Sequence, residues 1–351
     1  MSRETQLSER KAAILHALVQ HYIRTGEPVG SEALAQASGL RVSSATIRNE
    51  LASLEELGFL TQPHTSAGRA PTDLAYRYYV DLLPTRSRLR DTERRAIVGF
   101  FDEALEDIDE ILRGTTHLLS RLTRYASLAL APSPSEAAIA RAELIRVGTG
   151  TLLLVVFDSG RVEKRLIELP ERTADEDVVR ASEVLMGAFL GKTLPEARAL
   201  ASGRAVAGPV KSADPDRVLF EHVADALKAI EEAAESEHLV LGGVANIAAD
   251  ESFHRRETFR QIYEALERES AMLHLLREAA ATPSIAVMIG RENPVPEMWE
   301  ASVVAAPYAA GGGSFGSIGV VGPTRMDYAA AISAVRAVAE RLSAAVEALW
   351  G

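Results

Sequence analysis

Two short stretches of this chain carry polar and positively charged side chains at spacings that suggest chemistry. Arg41, Ser43, Ser44, Thr46, Arg48 and Asn49 fall within nine residues, and His64, Thr65, Ser66 and Arg69 within six. Neither stretch contains an acid. The pattern does not suggest bond making. It suggests recognition: guanidinium groups neutralise phosphate, while Ser, Thr and Asn offer hydrogen bonds to base edges. An ordinary amphipathic surface helix followed by a solvated loop would share much of this composition. The flanking segments separate the two readings.

Other motifs that resemble chemistry fail on context. Gly311, Gly313 and Gly316 satisfy G-x-G-x-x-G, but a dinucleotide site needs a helix N-terminus after the glycines. A strand-like run follows instead, so a hairpin turn is expected. A kinase-type glycine loop would need H-R-D and D-F-G partners, which are absent. The eight histidines show no H-E-x-x-H spacing. Arg291 and Glu292, beside Asn293 and Pro294, read as a turn rather than a catalytic couple. No catalytic residue, metal ligand or cofactor is therefore assigned.

The elements that must position the ten residues are legible. Ser43 is a suitable N-cap for a helix that carries Ile47, Leu51, Leu54 and Leu57 on one face, with Gly58 as its stop. Ser44, Thr46, Arg48 and Asn49 lie toward its opening turns. Upstream, Ser31 starts a short helix that closes at Gly39, and GLRV leads into Ser43. That is a helix-turn-helix spacing. Before it, a first helix is bounded by Ser8 and Gly26, with Leu15, Leu18, Val19, Tyr22 and Ile23 as its apolar set. Downstream, Phe59 and Leu60 start a strand, and Pro63, Gly68 and Pro71 force a loop. The loop with His64 to Arg69 reads as a wing against adjacent backbone. Tyr76, Tyr78 and Tyr79 read as packing groups.

Net charge is -11 over 351 residues, which superficially opposes nucleic acid as a partner. The charge is uneven, however. Residues 1–72 hold seven Arg and Lys against seven Glu, and the acidity lies further along. A locally positive face on an acidic body favours specific, salt-sensitive binding. The chain has no cysteine, so disulfides and thiolate metal sites are excluded. No apolar run reaches membrane-span length, and a cytoplasmic location is expected.

For the rest of the chain, residues 96–125 read as one long amphipathic helix that Gly114 interrupts. Three strands are expected at 143–147, 151–157 and 161–169, with Asp158 to Gly160 as a hairpin turn. Helices are expected at 175–190, 215–236 and 253–277, with a short strand inside 238–247. The final segment, 327–350, has heptad-like spacing. Three heptads rich in alanine favour packing on its own sheet.

Ala45 to Asp81, reading ATIRNELASLEELGFLTQPHTSAGRAPTDLAYRYYVD, closely resembles the winged-helix domain of the heat-inducible repressor family HrcA. SVVAAPY at 302–308 and GSIGVVGPTRMDY at 316–328 agree with the same family. The resemblance implies an α+β multidomain fold. Its parts would be an N-terminal winged helix at 1–84, a basic linker at 85–95, a GAF-like domain from 96–170 and 278–351, and an inserted, mostly helical dimerisation domain at 171–277. It further implies a homodimeric repressor that binds double-stranded DNA at an inverted-repeat operator of chaperone operons and is kept active by the GroEL chaperonin. A metabolite-responsive regulator with a ligand in the GAF-like domain is the alternative. An enzyme with an attached DNA-binding domain is disfavoured by the empty catalytic inventory.

Overall fold

The N-terminal helix forms where its caps dictate. In the computed structural model α1 spans Glu9–Thr25, with the Ser8 hydroxyl accepting from the Lys11 amide at 3.4 Å and Gly26 left-handed at φ 70°. The structure describes residues 7–37, 42–64, 67–84, 89–102, 108–131, 137–148, 150–158, 161–169, 173–206, 215–235, 239–250, 253, 256–280, 282, 284–309 and 315–350. Ile14, Leu15, Leu18 and Val19 of α1 are buried against α2 (Ser31–Ala37) and α3 (Ser44–Glu56). The turn from α2 to α3 lies largely outside the described residues.

α3 closes as the sequence leads one to expect. The Gly58 amide reaches the Glu55 carbonyl at 2.9 Å and the Phe59 amide the Leu54 carbonyl at 2.9 Å. Gly58 has φ 81°, the left-handed residue this double closure requires. The chain then forms β1 (Leu60–Thr61) and β2 (Ala70–Pro71), an antiparallel pair, and enters α4 (Asp73–Asp81). Together these elements make a winged-helix head.

The body begins with α5 (Asp91–Phe101) and α6 (Ile108–Thr123). A single helix over 96–125 was the sequence expectation, and the break lies before Ile108 rather than at Gly114. Gly114 sits inside α6 because Phe100 packs on it: a Cβ there would lie 2.6 Å from the Phe100 Cζ. β3 (Ala126–Leu130) follows. Next comes a meander of β4 (Ile139–Val147), β5 (Gly150–Phe157) and β6 (Val162–Ile167), covered by α7 (Asp175–Phe189), α8 (Leu194–Val206) and α9 (Pro215–Glu235). Of the expected hairpin turn, Asp158 is described; residues 159 and 160 lie outside the described set.

β7 (Leu239–Gly242), α10 (Ala245–Ala249), α11 (Arg256–Glu267) and α12 (Glu269–Ala280) return the chain to the body. β8 (Ala286–Ile289), β9 (Ala301–Ala309), β10 (Phe315–Pro323) and α13 (Tyr328–Trp350) complete it. Five strands form one antiparallel sheet in the order β7-β3-β10-β9-β8. α6 and α13 cover one face, and α12 covers the other with α11 beyond it. The fold is a multidomain mixture of helices and sheets. Gly311 and Gly313 lie outside the described residues; Gly316 lies in β10, which pairs antiparallel with β9.

Sheet membership sorts the strands of the body into two groups. The strands of the meander do not join the five-stranded sheet, although 96–170 was expected to be one piece of that domain. They pack Leu144, Leu153, Val155 and Phe157 on Leu185, Phe189, Val223 and Leu227 in a core of their own. Conversely, β7 joins the five-stranded sheet and α12 packs on it, although 171–277 was expected as one insertion. Alternation identifies a strand but not the surface that covers it.

Among the described residues no helix is long and apolar enough to cross a membrane.

Candidate nucleic-acid interface

The apolar stripe of α3 decides which residues face outward. Ile47, Leu51 and Leu54 are buried in the head's core. The opposite face presents Ser44, Ala45, Arg48 and Asn49, all exposed. Positions one turn apart share a face, so Arg48 stands above Ser44 and Asn49 above Ala45. The small Ala45 leaves room for close approach.

The first turn is built by two hydroxyls. Ser43 is extended at φ -67° and ψ 153°, and its Oγ accepts from the Thr46 amide at 3.2 Å. The same Oγ is hydrogen-bonded to Thr46 Oγ1 at 2.9 Å. Ser43 and Thr46 therefore shape the helix N-terminus, while Ser44 and Asn49 point freely outward. The first turn contains no acid, so the positive end of the helix dipole is left for an anion. Two of the three acids further along α3 are matched inside the head, and the third, Glu56, is exposed on its last turn. Glu50 lies 3.9 Å from Arg10 and 4.0 Å from Lys11, and Glu55 lies 2.8 Å from Arg69.

The wing is anchored at its base. Arg69 and Val29 exchange both backbone hydrogen bonds at 2.9 Å, tying the wing to the connection after α1. Gly68 permits this approach: a Cβ there would lie 2.4 Å from the Val29 carbonyl carbon. At the tip, the Ala67 amide donates to the His64 carbonyl at 2.9 Å, and Gln62 Nε2 donates to the Ala67 carbonyl at 2.9 Å. His64 is exposed.

Of the ten candidate residues, Ser43, Ser44, Thr46, Arg48 and Asn49 gather on one helix N-terminus, and His64 stands at the wing tip. Arg69 differs, because its guanidinium is engaged by Glu55 and its side chain is only 22% exposed. Arg41, Thr65 and Ser66 lie outside the described residues. The sequence reading missed Gln62 as a wing brace, and also Asp73 and Arg77 on α4, which contact the body. A polar residue on α4 carries no sign that its partner lies more than two hundred positions away.

Residues 6–81 match the family described as "Winged helix-turn-helix transcription repressor, HrcA DNA-binding", and residues 109–332 match "HrcA protein C terminal domain". The heat-inducible transcription repressor HrcA of Nocardioides sp. is 39% identical over 337 residues, covering 95% of this chain and 97% of that protein. That of Thermobifida fusca is 41% identical over 335 residues, covering 95% of each. That of Moorella thermoacetica is 36% identical over 347 residues, covering 98% and 99%. A crystal structure described as a hypothetical protein at 2.2 Å resolution superposes with a TM-score of 0.65 at 25% identity, covering 98% of this chain and 100% of that one. These relatives are named as regulators of transcription, not as enzymes. With head and body both matched, and relatives aligned over nearly the whole length, the chain belongs to the HrcA family of heat-inducible transcription repressors.

Proposed function

We propose that the protein represses chaperone operons as a two-fold dimer on an inverted-repeat operator. The observation that carries this reading is the exposed, acid-free opening face of α3 beside an anchored wing. Each head places that face in a major groove. Arg48, with Arg41, neutralises phosphate, and Ser44 and Asn49 meet base edges. Ser43 and Thr46 hold the first turn in shape and add their backbone to the contact. His64, Thr65 and Ser66 touch flanking backbone, and Arg69 holds the wing to α3 through Glu55.

The meander and its helices supply the dimer contact, and the five-stranded antiparallel sheet between helical layers is a GAF-like body. Support for the first assignment is the uncovered outer face of the meander, where Ile145, Val147, Val162 and Leu166 are exposed, and the exposed Val179 and Met186 on α7 with Leu190 just after it. In this reading the GroEL chaperonin keeps the repressor competent, a part that rests on the family resemblance alone. One observation favours a ligand-responsive version: a cleft of about 900 Å³ between α5 and α13, lined by Arg94, Arg336, Arg341 and a single acid, Glu340, together with Leu89, Ile97 and Val98. Thermal stabilisation of the protein by a small organic anion would support that version.

The test of the main reading compares Arg48→Ala and Asn49→Ala on operator and scrambled duplex at several salt concentrations. Arg48→Ala is expected to weaken both and to flatten the log-log salt slope by about one unit. Asn49→Ala is expected to cost about 1–3 kcal/mol on the operator and to spare the scrambled duplex. If neither variant weakens operator binding, α3 is not the reading helix.

A further inference from the structure

α4 joins the head to the body as a fitted contact, not as a tether. Arg77 Nε donates to Glu292 Oε1 at 2.8 Å. Its Nη2 donates to the second Glu292 oxygen and, at 2.6 Å, to the Val287 carbonyl. One turn earlier the Arg291 amide donates to Asp73 Oδ2 at 3.0 Å. Gly290 makes that approach possible: it is left-handed at φ 50°, and a Cβ there would lie 2.3 Å from the same carboxylate oxygen. Between these two polar contacts, the buried rings of Tyr76 and Tyr328 lie 5.8 Å apart. On the α1 side, a Cβ on Gly26 would lie 3.0 Å from Arg325 Nη1. A single hydrophobic core runs from Ile14 and Leu54 through Tyr76 to Tyr328 and Val335.

An isolated exposed ion pair would hold little. This one is a two-pronged fork on a carboxylate with a backbone carbonyl added, which fixes orientation as well as proximity. The hydrogen bond to Glu292 raises the Arg77 pKa in spite of its burial. The docked head also keeps its DNA face open. Ser44, Ala45, Arg48, Asn49 and His64 are all exposed, and none takes part in the joint. Within this chain the joint therefore leaves that face uncovered.

We propose that the α4 joint sets operator geometry: Arg77, Glu292 and Gly290 fix the separation and phase of the two recognition helices, so that the repressor reads half-site spacing. This rests on the two-fold reading above. Heads on a rigid frame meet the second half-site at high effective concentration only when its position matches. Loosened heads lose that advantage at the correct spacing and tolerate wrong ones. Arg77 and Glu292 are positioning residues, since neither belongs to the face that meets DNA.

The absence of cysteine allows the joint to be observed directly. Spin labels are placed at Glu32→Cys in α2 and Glu347→Cys in α13, both exposed, and the labelled protein is diluted into unlabelled protein. A narrow distance distribution is expected, broadening in Glu292→Gln and in Arg77→Met. Glu292→Gln alters only the body, so the head's own fold is untouched. On DNA, inserting half a helical turn between half-sites should cost the parent roughly a hundredfold and the two variants roughly tenfold or less. Binding to an isolated half-site should stay unchanged. A distribution already broad in the parent, or equally narrow in both variants, overturns the proposal, as do equal spacing penalties in parent and variants. A parent that binds one half-site as tightly as the full operator defeats the two-fold reading instead. The distance distributions then still decide the joint.

Discussion

Single side chains in the head show how far residue type predicts role. Arg48 and Arg69 are both cations in acid-free stretches, yet one is exposed and the other is ion-paired with Glu55. The difference comes from α3, which brings Glu55 to the base of the wing. His16 is a second case. It lies 4.9 Å from the Tyr79 ring, and burial lowers its pKa below the usual 6.5. The folded head thus disfavours the imidazolium. A base whose folded pKa is depressed contributes stability that is complete above its unfolded value, about 6.5. That stability is lost as pH falls through this value toward the folded one. Thermal unfolding should therefore drop more between about pH 7.5 and 5.5 in the parent than in His16→Phe. Identical pH slopes in the two proteins would remove His16 from the account.

At the scale of elements, caps and stops were readable because their causes are local. Ser8, Gly26, Ser43 and Gly58 act on backbone groups within a few residues of themselves. Gly114 was misread for the complementary reason, since the ring that requires it belongs to another helix. Two helical glycines therefore make a controlled comparison. A Cβ on Gly99 in α5 would meet nothing within 4 Å, whereas one on Gly114 would meet Phe100 at 2.6 Å. Gly99→Ala should gain about 0.5–1 kcal/mol from helix propensity. Gly114→Ala must displace Phe100, which packs edge-on against Phe101 at 4.9 Å, and should fall short of Gly99→Ala by at least about 1 kcal/mol. Urea unfolding of both variants checks this, and equal gains would show that Phe100 yields freely.

Across the whole molecule, three cores divide the chain differently from its order. One joins the head to the α6 and α13 face of the large sheet, a second lies beneath α12, and the third is confined to the meander with α7 to α9. The third unit leaves apolar side chains outside. Ile145, Leu152 and Leu166 form one cross-strand row on its outer face, with Leu166 64% exposed. If that face is the dimer contact, Leu166→Lys places a charge in it and should weaken self-association by about 2 kcal/mol or more. Unfolding stability should hold within about 0.5 kcal/mol, as for other exposed positions. Sedimentation velocity across a dilution series measures the first effect. An unaltered dimer would move the contact elsewhere.

By itself the sequence determined the head: two capped helices with a short one between them, a wing forced by Pro63, Gly68 and Pro71, and an acid-free opening turn on α3. Each of those signals acts over a handful of residues, and apolar spacing is enough to choose the buried face. It also indicated the strands of the meander, whose alternation is equally local. Only the tertiary structure decided which sheet those strands join, that β7 belongs beside β3, and that Arg69 is held by Glu55. It alone brought Arg77 to Glu292, 215 positions along the chain. Contacts of that kind arise from which surfaces are left to cover after the local elements have formed, and no residue carries in its own neighbourhood the identity of a partner so far away.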